Sequence, residues 1–151
     1  MWPFSKKKDF FSKEDNELIV RSIRDAERKT SGEVRVFVES RCRFIDALDR
    51  AVEIFAELKM QNTAQRNAVL VYVAIKDRQL AVYGDTGIHQ KTGEEYWKTA
   101  INNMLLHFNR ENYADGIATC VTMIGKALQD HFPFDADLDK NELPDEIIFG
   151  K

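Results

Sequence analysis

Residues 63–91 read T-A-Q-R-N-A-V-L-V-Y-V-A-I-K-D-R-Q-L-A-V-Y-G-D-T-G-I-H-Q-K. The run from Ala68 to Ile75 is apolar throughout and rich in β-branched residues, the pattern of a strand buried on both faces. Lys76, Asp77 and Arg78 interrupt it, and residues 79–83 repeat the pattern, so the two runs pair as an antiparallel hairpin around a short polar turn. The hairpin ends in Gly84-Asp85-Thr86-Gly87. Two glycines around an acid permit positive φ and close backbone approach, which suits a loop that wraps an ion or crosses another loop. An ordinary strand-to-helix connection is the alternative reading of the same four residues.

Working outward, Ser12 followed by Glu14 and Asp15 has the form of a helix N-cap with acids in the first turn. Ile19, Ile23 and Ala26 then recur at helical spacing until Thr30-Ser31-Gly32 ends the pattern. Residues 33–39 alternate, with Val34, Val36 and Val38 on one face and Arg35 and Phe37 on the other, which predicts a strand. Residues 46–59 place Ala47, Ala51, Phe55 and Leu58 on one helical stripe. Tyr96, Trp97, Ala100, Ile101, Met104 and Phe108 mark a third helix after Gly93, and residues 113–129 a last one that stops near Pro133. Strand, helix and strand make a parallel crossover unit, and the hairpin adds an antiparallel member. The expected fold class is α/β: a three-layer α/β/α sandwich around a small mixed sheet of about four strands.

At 151 residues the chain fits one domain, with a segment 1–11, a body 12–133 and an acidic tail 134–151. An apolar share of 44% and a charged share of 31% are those of a soluble globular protein, and a net charge of −3 with dispersed basic residues gives no reason to expect nucleic acid. Cys42 and Cys120 lack any metal or redox spacing. No cleavable leader follows Lys6, Lys7 and Lys8, and no run is long enough to span a bilayer, so the expectation is a cytoplasmic monomer.

Several motifs compete. Asp135, Asp137, Asp139, Asn141 and Glu146 occupy EF-hand acid positions, but Lys140 stands where glycine is required, so a solvated acidic tail is the better reading. Gln90 before Lys91 rules out a phosphate-binding loop. His89, His107 and His131 show no ligand spacing, and no serine or cysteine has a local base. Trp2, Phe4, Phe10 and Phe11 beside three lysines suit either weak contact with a membrane surface or a cover over the core beside the first helix. Ile147-Ile148-Phe149 suits an edge strand added in cis, or docking on a protein partner.

The order of helix, T-S-G-E-V-R-V-F-V, helix, R-N-A-V-L-V-Y-V-A-I-K-D-R, Y-G-D-T-G-I and F-N-R-E-N-Y-A-D-G-I resembles the TPM domain, a Rossmann-like α/β/α module known from thylakoid-lumen and envelope proteins. The resemblance covers residues 12–132 and rests on five short patterns in the right order. It implies divalent-metal binding, calcium above all with magnesium as a substitute, where two loops cross at one end of the sheet. Members have also been linked to acid phosphatase activity and to repair of photosystem complexes. Members carry D-N-G before the second strand and G-Y-G after the third; this chain has Arg66-Asn67-Ala68 and Asp85-Thr86-Gly87, so one acid is absent and another is present.

Topology brings the start of the first strand, the loop entering the second and the end of the third to one edge. Glu33, residues 61–67 and residues 85–89 therefore converge there. Calcium takes about six to eight oxygens. The edge offers the carboxylates of Glu33 and Asp85, the amides of Gln61, Asn62, Gln65 and Asn67, backbone carbonyls near Gly87, and His89 close by. The competing reading is a structural ion pair between Glu33 and Arg66. Two functions follow: a metal-binding, non-catalytic module that regulates or scaffolds a protein, or a metal-assisted acid phosphatase in which Arg66 or Lys91 faces phosphate.

Overall fold

The computed structural model describes residues 10–43, 45–135 and 146–150. Along the chain lie α1 (Lys13–Arg28), β1 (Glu33–Glu39), α2 (Ala47–Glu57), β2 (Ala68–Ala74), β3 (Gln79–Gly84), α3 (Thr86–Thr92), α4 (Glu94–Phe108), α5 (Tyr113–His131) and β4 (Ile148–Phe149). The expectations placed on residues 2–8 and on the acidic stretch 136–145 fall outside the described residues.

The apolar run becomes β2, buried at every position, and it sits inside the sheet order β3-β2-β1-β4. β1 pairs parallel to β2 with Glu33 opposite Ala68, as the intervening α2 requires, and β3 returns antiparallel. Ile148 and Phe149 pair parallel with Phe37 and Val38 on the far edge, the strand added in cis that the terminal I-I-F predicts. Gly150 N completes the pairing by donating to Val38 O at 2.7 Å.

The period of two in β1 and β2 divides two cores. Val34, Val36 and Val38 with Val69, Val71 and Val73 pack against Ile19 and Ile23 of α1, Trp97 and Met104 of α4, and Ile117 and Ile124 of α5. Phe37, Leu70 and Tyr72 face α2 through Ala51, Ile54 and Phe55. Each fully buried aliphatic contributes roughly 1.5–3 kcal/mol, which holds α2 alone on its face. Phe11 joins the first core and Phe10 stacks on Phe149 with ring centroids 6.2 Å apart, so these two aromatics do cover the core.

Helix ends follow the sequence signals. Ser12 Oγ accepts from Asp15 N at 3.1 Å to open α1. Asp46 caps α2, which is shorter than the apolar stripe suggests because Leu58 ends it as its C-cap. The largest departure is α3: residues 86–92, read as loop, form seven residues of helix capped by Asp85, whose carboxylate accepts from Thr86 N at 2.7 Å. Gly84-Asp85-Thr86-Gly87 is therefore a strand-to-helix connection. The glycine with positive φ is Gly93 at 78°, not Gly84 or Gly87.

At the C-terminal end of β1, Glu39 is held by a buried network. Arg50 of α2 donates to both its oxygens, at 3.0 and 3.1 Å, and the Tyr72 hydroxyl donates to Oε2. Burial and its bond to Glu39 push the Tyr72 phenol up, while the bonds to Glu39 hold the Arg50 guanidinium above its ordinary range against the lowering effect of burial.

Candidate functional site

Three segments meet at the opposite end of the sheet, as the topology predicts. Glu33 registers with Ala68, and Asp85 N donates to Ala68 O at 2.9 Å, so Glu33, Ala68 and Asp85 form one row across three strands. Two strand spacings put the backbones of the two acids about 10 Å apart. Glu33, Asn67 and Asp85 are all buried, and Asp85 is 1% exposed.

A buried carboxylate needs a cation or several donors. Asp85 has both. Arg66 Nε donates to Oδ2 at 2.7 Å and Arg66 Nη2 to Oδ1 at 2.9 Å, a two-pronged pair that complements the bond from Thr86 N. The hydrogen bonds to Asp85 raise the Arg66 guanidinium, whose side chain remains 50% exposed. Arg66 holds this position from a left-handed backbone with φ of 52°, a conformation that costs a non-glycine residue about 1–2 kcal/mol. The alternative ion pair of Arg66 with Glu33 does not form. Arg66 turns to Asp85, and the Glu33 carboxylate lies instead in the field of Arg35.

The loops do cross. Gly87 N donates to Arg66 O at 2.8 Å, and a Cβ at Gly87 would stand 2.1 Å from Gln65 O and 2.6 Å from Arg66 O. Glycine is required here by close approach. Ser31 ties the crossing together, its Oγ accepting from Gln65 Nε2 and Asn67 Nδ2, both at 3.3 Å, while Asn67 N donates to Thr63 Oγ1. Asn67 Oδ1 and Gln61 Oε1 are buried acceptors without a hydrogen-bond partner among the described residues. His89 belongs to α3, where its N donates to Asp85 O at 2.9 Å and its Nδ1 accepts from Trp97 Nε1 at 3.0 Å. Trp97 fixes that imidazole against α4.

Tested against a divalent ion, the donors fit in kind. They are oxygens, two of them are buried acceptors lacking a partner, and two carbonyls point at the Gly87 crossing. They are poor in charge: among the described residues no three His, Cys, Asp or Glu side chains group as a metal cluster, and Asp85 is engaged by Arg66.

Sequence reasoning found the edge but missed three of its parts. These are Ser31 as the shared acceptor, Trp97 as the partner of His89, and Arg66 as the partner of Asp85. Only the last had a signal in the chain: a basic residue before β2 and an acid after β3 are charges of opposite sign at the two positions the crossing brings together.

A mixed four-strand sheet with helices on both faces and a loop crossing at one end defines a Rossmann-like α/β/α module. The family model for the TPM domain matches residues 5–127, and the chain belongs to the TPM family. It is similar to BA42 from the psychrophilic bacterium Bizionia argentinensis, known by NMR: 41% identity, 96% of this chain and 99% of that one covered, TM-score 0.86. The fold also matches the N-terminal domain of a P. gingivalis protein, at 18% identity over 84% and 83% of the two chains with TM-score 0.70. A further match is the N-terminal domain of cg2496 from Corynebacterium glutamicum, at 15% identity over 85% and 88% with TM-score 0.60. No curated protein matches the chain. Among the described residues no helix is long and apolar enough to cross a membrane.

Proposed function

We propose that this chain is a non-catalytic TPM module that regulates or scaffolds a protein partner and responds to divalent cations, calcium first, at its loop crossing. The observation that carries the reading is the asymmetry of the Arg66–Asp85 pair. The carboxylate is 1% exposed while the guanidinium is 50% exposed on a strained loop, so the cation of the pair is the member that can leave. Once Arg66 swings into solvent, Asp85, Asn67 Oδ1, Gln61 Oε1 and the Gln65 carbonyl are the oxygens that would hold an ion, which supplies the charge Asp85 then lacks. One carboxylate among neutral oxygens makes a weak site, in the range of about 0.1–1 mM.

Two observations favour a binding role over phosphatase chemistry. Among the described residues no three His, Cys, Asp or Glu side chains group to fix a catalytic ion, and the Cys120 thiol is sealed in the core, where burial pushes it up to about 12. Thermal melting of the wild type in calcium and in chelator tests the reading. Ions that bind the native state alone raise the melting temperature with concentration, and Asp85→Ala is expected to remove most of that rise while leaving a folded apo protein. A calcium response unchanged by Asp85→Ala sinks the assignment. Steady-state hydrolysis of p-nitrophenyl phosphate, across acidic to neutral pH with calcium, magnesium or chelator, is expected to stay at background. Turnover near about one per second, a typical enzymatic rate, abolished by both Asp85→Ala and Arg66→Ala, favours the phosphatase instead.

A further inference from the structure

Among the described residues β3 is an edge strand of the sheet. The bond from Asp85 N to Ala68 O sets the alternation of the antiparallel ladder, so Gln79, Ala81 and Tyr83 exchange backbone bonds with β2 while Leu80, Val82 and Gly84 turn their N–H and C=O groups outward. That row is the floor of a groove of about 580 Å³ walled by Ala47 and Leu48 of α2 and by Trp97 and Ile101 of α4. Edge strands are commonly blunted by lysine, proline or a bulge. Gln79–Gly84 contains no lysine or proline and pairs with β2 without a break in register.

Side chains divide on this edge as they do inside the sheet. Leu80 and Val82 belong to the face packed by α4, and Ala81 and Tyr83 to the face packed by α2. An added strand would send alternate residues against Trp97 and Ile101, and the others against Leu48, which is 48% exposed. Gly84 keeps this geometry open, because a Cβ there would meet Trp97 Cζ2 at 2.6 Å. The charged lining is Asp46, Glu94 and Lys98, and Lys98 Nζ already lies 3.5 Å from Glu95, which leaves the groove acidic.

We infer that the β3 edge docks an extended peptide segment of a protein partner, apolar at alternate positions and ending in lysine or arginine, by strand addition. The inference deepens the scaffolding half of the preceding reading and stands without the ion.

The probe is the capped heptapeptide Lys-Val-Thr-Val-Thr-Val-Lys, titrated into the full chain in chelator and again in calcium, and followed by heteronuclear NMR. Amides of Leu80, Val82 and Gly84 are expected to shift and gain protection from deuterium exchange. The same peptide N-methylated on its pairing edge should not bind, since main-chain bonds carry the affinity. A Glu-ended analogue should bind about fivefold more weakly, the order expected of two rim charge pairs. Leu48→Lys, at an exposed wall position, should weaken binding of the Lys-ended peptide without altering the fold.

Equal binding of the N-methylated peptide, or shifts that leave β3 untouched, overturns the inference. So do β3 shifts that depend on protein concentration alone, which would give the edge to a second copy of the chain. Failure in chelator and calcium alike leaves the loop-crossing reading intact, and absence of any calcium effect leaves the groove intact.

Discussion

The two ends of this sheet each bury a carboxylate against an arginine, and the two pairs are built differently. At one end Glu39 accepts from Arg50 and Tyr72, and Arg50 rises from the first turn of α2, is 24% exposed, reaches Glu53 as well, and lies 6.0 Å from the centroid of Phe37. At the other end Asp85 is deeper, but Arg66 stands on a left-handed loop residue and is 50% exposed. Arg50 is held by a helix, a ring and two acids. Among the described residues the Arg66 guanidinium hydrogen-bonds to Asp85 alone, so the proposed exchange belongs to this pair and not to the first.

The largest expected effect is at the fixed end. Arg50→Ala strands a buried carboxylate and should cost about 3 kcal/mol in denaturant unfolding, within the range for breaking a buried pair. A loss no greater than that of Arg66→Ala in chelator would break the comparison. Next is Gly87→Ala, whose Cβ would collide with two backbone carbonyls and force the loops apart. A cost of about 1–3 kcal/mol is expected, with amide shifts confined to the crossing.

Tyr72→Phe is smaller, about 1 kcal/mol for one hydrogen bond to a charged network. It also carries a pH signature. The Tyr72 phenol is raised by burial and by its bond to Glu39, so its stabilisation is present below the unfolded value of about 10 and is lost as pH rises toward the folded one. An alkaline fall in stability should therefore be shallower in Tyr72→Phe than in wild type, read from melting temperatures between neutral and high pH. The smallest effect is on Cys120, whose buried thiol is raised to about 12. Its labelling should follow global unfolding, speeding up in Arg50→Ala and slowing in calcium, which binds the native state.

The ladder of elements was legible because each rests on a short-range pattern: the unbroken apolar run gave β2, and the alternation of Val34, Val36 and Val38 gave β1. α3 was not, since seven residues with Ile88 alone buried carry too little periodicity to register, and its sign was only the Asp85 cap. The edge of the candidate site followed from topology, which brings Glu33, residues 61–67 and Asp85 together. The pairing inside it depended on side-chain reach. The sequence reading pairs Arg66 with Glu33, and the left-handed turn that aims it at Asp85 has no signature in Gln65-Arg66-Asn67.

The central claim is that Arg66 occupies the place of an exchangeable cation, and calcium titrations of wild type and Arg66→Ala followed by heteronuclear NMR test it most directly. The account predicts that amides of residues 61–67 and 85–89 shift together in both proteins. It also predicts that Arg66→Ala binds at least about tenfold more tightly, because Asp85 no longer has to be vacated. Equal or weaker affinity in Arg66→Ala, or shifts confined to residues 135–146, would contradict it.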